Sequence, residues 1–110
     1  MIKLNGYNNS FATFYSKGEI ANNTPVAVSE NLTVKADETA APIFGVCVSC
    51  DGEKALVQTH GYVEVPYTSA PTVGYAQLLA TKNGVHSDAT GRPCFVVSVD
   101  QENNTCGIIL

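Results

Sequence analysis

At 110 residues the chain has room for one domain with a single core and too little for two ordinary ones. Charged residues make up 15% of it against 45% hydrophobic, a lean share that leaves uncharged surface to bury against copies of itself or a partner. The net charge of −4, with six basic residues scattered singly (Lys3, Lys17, Lys35, Lys54, Lys82, Arg92), offers no basic stripe to neutralise phosphates and argues against a nucleic-acid partner.

The opening MIKLNGYNNS lacks an apolar signal core and no later run reaches bilayer length, so the expectation is a chain made in the cytosol, with no membrane partner. Four Asn-x-Ser/Thr sequons, at Asn8, Asn22, Asn31 and Asn103, then read as Asn-rich turns. Residues 1–19 read as an N-terminal arm or edge segment and 20–110 as a single β domain. The arm holds four of the nine aromatic residues, Tyr7, Phe11, Phe14 and Tyr15. Rings at that density bury large areas once they find a surface, so the arm is either an edge strand on its own domain or docked on a neighbouring subunit.

From Ile20 to Asp37 the alternation of Val26 and Val28, then of Leu32 and Val34, predicts a hairpin turning at Ser29-Glu30-Asn31, with Pro25 tolerated at the head of its first strand. Residues 38–42 form a small-residue connection. The central stretch, Ile43 to Pro66, is the strongest local signal: two alternating apolar runs joined by Asp51-Gly52, a pair suited to a tight turn that needs positive φ. Phe44, Val46 and Val48 are expected on one face, and Val57, Val63 and Val65 on one face of a return arm running on through Gly61, the valines forming core. Gln58, His60, Tyr62 and Glu64 then make a period-two row facing solvent or a partner. Gly61 itself suggests a bulge, a bend or a close backbone approach.

After Pro66, residues 76–80 could form a helical turn, but strand is preferred, with Asn83-Gly84 as a further hairpin signal. The chain closes on Phe95, Val97 and Val99 on one face, a polar loop from Asp100 to Asn104, and Cys106, Ile108 and Leu110. The whole reads as all-β, a small barrel or sandwich of about eight to ten short strands with little or no helix.

No catalytic or metal-ligating constellation, and no cofactor, is expected. Cys47 and Cys50 form one C-x-x-C but fall on opposite strand faces if the strand runs through Ser49, and no second pair follows. Pairing Val99 with Thr105 puts Cys106 opposite Ser98, too far from Cys94 for a disulfide, so all four cysteines read as free apolar thiols. His60 and Glu64, four apart on a strand, stand roughly 13 Å from each other and form no dyad. The glycines form no phosphate-binding cluster.

The order Pro25-Val26, then Phe44-Gly45-Val46, Asp51-Gly52, the run Ala55 to Val65 with Gly61 inside it, Pro71-Thr72-Val73-Gly74, Asn83-Gly84-Val85 and a closing hairpin resembles the capsid decoration, or head-stabilising, proteins of tailed bacteriophages. The likeness spans about the last three-quarters of the chain. It implies a non-enzymatic β-barrel protein, usually a homotrimer, seated on the capsid surface of the virion, where it cements subunits of the major capsid protein. Such proteins lay an N-terminal segment against the shell, which suits the aromatic arm. The likeness assigns no individual contact residue; the aromatic arm and the period-two row themselves offer Tyr7, Phe11, Phe14, Tyr15, Gln58, His60, Tyr62 and Glu64 as capsid or subunit contacts. The alternative is a tail, baseplate or head-fibre subunit, or a surface module that binds glycan.

Overall fold

A computed structural model describes residues 9–110, and among them there is no helix. Eleven strands, slightly more than the eight to ten expected, build a closed five-stranded barrel and a six-stranded sheet. The barrel comprises β1 (Ser10–Ser16), β2 (Pro25–Glu30), β3 (Thr33–Lys35), β5 (Gly45–Cys50) and β6 (Lys54–His60), in the order β1-β3-β2-β5-β6. The sheet comprises β4 (Ala41–Pro42), β7 (Tyr62–Pro66), β8 (Gly74–Thr81), β9 (Gly84–Ser87), β10 (Arg92–Asp100) and β11 (Thr105–Ile109). Its order is β4-β8-β10-β11-β7, with β9 also on β8.

The hairpins read from the sequence are present. In the central one the Asp51 carboxylate accepts the backbone N–H of Glu53 at 2.9 Å and of Lys54 at 2.8 Å, while Gly52 takes φ 95. The Asn83-Gly84 signal marks β8–β9, where Thr81 pairs with Gly84 around a two-residue loop. The hairpin β2–β3 turns slightly later than expected. Leu32 leaves its strand and sits in the turn at φ 54, with its side chain exposed.

Asp88 and Asp100 play the part of Asp51 in their own turns: Asp88 accepts the Thr90 N–H and hydroxyl, and Asp100 accepts the Asn103 amide and the backbone N–H groups of Asn103 and Glu102. These hydrogen bonds favour the ionised form and hold all three carboxyls below the ordinary aspartate range. Because the folded values lie below the unfolded ones, the stabilisation is complete above about pH 4 and is lost as the pH falls through the folded values. Urea unfolding at pH 7, 4 and 3 is therefore expected to give a midpoint that drops mainly below pH 4. In Asp51→Ala that drop is shallower.

The N-terminal segment is part of the barrel from Ser10 onward. β1 pairs antiparallel with β6 and parallel with β3, so it has a neighbour on each side and closes the ring. Phe14 turns inward and meets the edge of Phe44 with ring centroids 5.2 Å apart, whereas Phe11 and Tyr15 point outward. Tyr7 lies outside the described residues.

The return arm of the central hairpin is not one strand. Gly61, at φ 101, bends the chain out of the barrel, so β6 stays in the barrel and β7 joins the sheet. The single core expected from chain length becomes two buried clusters. Ile20, Val26, Val34, Cys47, Ala55 and Val57 fill the barrel, while Leu78, Val85, Val96 and Ile108 of the sheet form the second cluster with Val46 of the barrel strand β5 and with Ile43, which pack against them. Val57 thus belongs to one cluster and Val65, with Val63 packed against it, to the other. Gly61 is the reason: a bend exchanges sheets, and with them the neighbours each valine meets.

Two bulges also undo face assignments. In β5 the register against β6 shifts between Cys47 and Ser49, leaving Val48 as the extra, exposed residue. Val46 then serves the sheet's cluster and Cys47 the barrel's, so Phe44, Val46 and Val48 do not share one buried face. In β10 the shift lies between Val96 and Ser98. Phe95 and Val97 face outward, while Val99 packs against the inner cluster. An inserted residue reverses the alternation from that point on.

Candidate interaction surface

The outer face of the six-stranded sheet is where large apolar side chains stay uncovered. Its register places Tyr75 opposite Phe95, Phe95 opposite Ile109, and Ile109 opposite Tyr62, a straight row across β8, β10, β11 and β7. Tyr75 is 64% exposed and Phe95 56%, and their rings meet edge to face with centroids 5.9 Å apart. Ile109 and Tyr62 are half-buried. Val73 at the entry to β8 and the bulged Val97 add exposed methyl groups.

Local chemistry explains why these residues are outside. β8 and β10 are apolar in both phases: Ala76, Leu78 and Ala80 with Cys94 and Val96 supply the inner face, which leaves the larger Tyr75 and Phe95 on the other. Tyr62 lies across β11 at Gly107. A Cβ built on that glycine comes within 2.6 Å of the Tyr62 hydroxyl oxygen and of Ser98 Oγ, so glycine makes room for the ring. Exposed rings in a line, already ordered by one another, lose little conformational freedom when a partner covers them. The exposed Glu64, opposite Gly107 in the next row, gives this face a charged margin.

Of the contact residues expected from sequence, the structure puts only Tyr62 in this row, with Glu64 beside it. Gln58 is not on the surface: it is 6% exposed, and its Nε2 donates to the carbonyls of His60 at 3.1 Å and Tyr62 at 3.0 Å, holding the bend at Gly61. His60 is exposed on the barrel, its Nδ1 3.1 Å from Thr59 Oγ1, and stands on a different sheet from Glu64. The bend therefore breaks the Gln58–Glu64 row into three environments. Phe11 and Tyr15 are exposed on the barrel. Tyr15 borders an open recess of about 250 Å³ with Thr13, Phe14, Leu32 and Lys54, away from the aromatic row.

Sequence reasoning missed Tyr75, Phe95 and Ile109. A signal was present in Arg92-Pro93-Cys94-Phe95-Val96-Val97, where apolar residues occupy both strand phases; a sheet with one buried face must expose one of them. Beside Tyr75 a further open recess of about 390 Å³ is lined by Thr72, Gln77, Ser87 and Asp88, among others.

The cysteines are all free. Cys94 and Cys106 both lie in the sheet's inner cluster, and burial raises both thiols, Cys106 to about 11 with a further push from Cys94. The β10–β11 register differs from the expected one by a residue, with Val99 opposite Cys106 and Asp100 opposite Thr105. Cys47 and Cys50 do not fall on opposite faces, since the Val48 bulge brings both to the barrel cluster. Among the described residues no three of His, Cys, Asp and Glu gather to hold a metal ion. Comparison of the chain with protein-family models, curated proteins and solved structures gives no match.

Proposed function

We propose that this protein is a structural component of a larger assembly, held in place through the outer face of its six-stranded sheet. The observation that carries the reading is the row Tyr75–Phe95–Ile109–Tyr62: four cross-strand neighbours with large apolar side chains, two of them more than half exposed. Soluble proteins seldom leave rings so aligned in water unless something covers them. Aromatic side chains are also what binding energy at interfaces concentrates on.

The resemblance to bacteriophage head decoration proteins gives the assembly its specific form: a cement protein, as a homotrimer, on the outer surface of a capsid, with the major capsid protein as partner. Contacts repeated around a symmetric shell add up, so each need bury only a modest area. Co-sedimentation with undecorated shells of the corresponding phage tests this form. Stoichiometric binding is expected. Its absence at every salt concentration removes the capsid and leaves the aromatic face without its proposed partner.

A second reading, recognition of surface glycan by a tail or fibre module, draws on the recess beside Tyr75. An aromatic ring next to Gln77, Ser87 and Asp88 offers a sugar a stacking face and polar partners. Retention on immobilised polysaccharide, lost in Tyr75→Ala but kept in Phe95→Ala, is the outcome that would favour it.

A further inference from the structure

We infer that Cys47 and Cys50 form a dithiol site in the barrel wall that undergoes thiol–disulfide exchange with small disulfides, Cys50 attacking first and Cys47 resolving. The Val48 bulge makes the pair. Cys47 stands opposite Val57 and Cys50 opposite Ala55, so three steps along β5 span only two along β6. Two strand residues cover about 6.6 Å. That estimate lies at the upper end of the roughly 4.4–6.8 Å between Cα atoms that a disulfide bridges, and side chains rising side by side at that spacing have to lean together to bring their Cβ atoms to the roughly 3.5–4.5 Å the bond needs. Both side chains join the same cluster, Cys47 as a buried member and Cys50 packed against it.

The two thiols have different surroundings. Cys47 is fully buried, its Sγ 4.0 Å from the Ile20 carbonyl oxygen. Cys50 is partly open to solvent at the end of β5. Its Sγ receives the Gly52 N–H at 3.4 Å and lies 3.3 Å from Ser16 Oγ. Partial burial opposes ionisation of Cys50, but the hydrogen bonds of Ser16, Gly52 and Ile20 outweigh burial and the nearby Asp51 charge and hold its thiol below the ordinary value. Burial, and then the proximity of Cys50, push Cys47 up. The accessible thiol is thus the better nucleophile and the hidden one the slower.

In the first step the Cys50 thiolate attacks one sulfur of a small disulfide; a mixed disulfide forms and one small thiolate leaves. Cys47 then gives up its proton to that thiolate and attacks Cys50 Sγ. The Cys47–Cys50 bond forms, the second small thiolate departs, and the protein is oxidised by the two electrons the small disulfide gains. A bridge at the upper limit of the allowed span is strained and reopens readily in excess thiol.

Native protein incubated with millimolar oxidised glutathione and followed by intact mass and peptide mapping tests the site. The expected course is a glutathione adduct on Cys50, then a form lighter than the starting protein by a pair of hydrogens with Cys47 joined to Cys50, reversed by dithiothreitol. Cys47→Ser is expected to stop at the adduct, and Cys50→Ser to stay unmodified while folded. Wild-type protein that remains unmodified, that accumulates only the Cys50 adduct, or that bridges through Cys94 or Cys106 overturns the inference. The wild-type course decides it even where a variant fails to fold.

Discussion

Gly45→Ala is expected to destabilise the protein by about 3 kcal/mol, lowering its urea midpoint by about 2 M. A Cβ at that position meets the backbone oxygen of Gln58 at 2.5 Å and Val57 Cγ1 at 2.6 Å, distances that real contacts do not show. The neighbour cannot step aside cheaply, because β6 is hydrogen-bonded to β5 on one side and to β1 on the other. Relief has to come from opening the barrel where β2 and β5 meet, at the pair Val26–Gly45. Gly18→Ala provides the contrast. Its Cβ would meet nothing within 4 Å, so only the positive φ of 86 resists, at a cost of about 1 kcal/mol. A Gly45 variant as stable as Gly18→Ala would mean that the barrel seam is looser than described.

Phe95→Asp is expected to weaken association by at least 30-fold while costing the folded monomer about 1 kcal/mol, well short of the effect of Gly45→Ala. Removing a central aromatic anchor from an interface costs about 2 kcal/mol or more, and a carboxylate in its place would have to be desolvated as well. The folded monomer loses the ring contact with Tyr75 and the pairing with Ile109 but none of its core, since Phe95 is 56% exposed and its inward neighbours Cys94 and Val96 remain in place. Sedimentation of variant and wild type at matched concentration, alone and with shells, reads the effect. Thr13→Asp, at an exposed position of β1 in phase with the outward Phe11 and Tyr15, is the control and is expected to behave like wild type.

The sequence and the structure agree where the determining chemistry is local. Asp51-Gly52 and Asn83-Gly84 mark real turns because the glycines take φ 95 and φ 136, which other residues rarely adopt, and the Asp51 carboxylate accepts the backbone N–H groups that follow it. The all-β class follows from alternation that never becomes helical. What was not legible depends on partners distant in the chain or on a single inserted residue. Nothing near Ser10–Ser16 announces a parallel pairing with β3 that closes a barrel. Val48 and Val97 look like ordinary members of alternating strands, yet each is the extra residue of a bulge and reverses the faces after it. Gln58 looks like a surface residue by phase, but the bend at Gly61 leaves two carbonyls that its amide satisfies, and this draws it inside. The aromatic row became visible only with the register of four strands, since Tyr62, Tyr75, Phe95 and Ile109 are scattered over almost half of the chain.

Photo-crosslinking from position 95 tests the central claim most directly. With a benzophenone amino acid in place of Phe95, irradiation of assembled particles is expected to link the protein to a shell subunit or to a second copy of itself, whereas the same group at Thr13 links to neither. Particles that carry the protein but yield adducts from position 13 and none from position 95 would contradict the account.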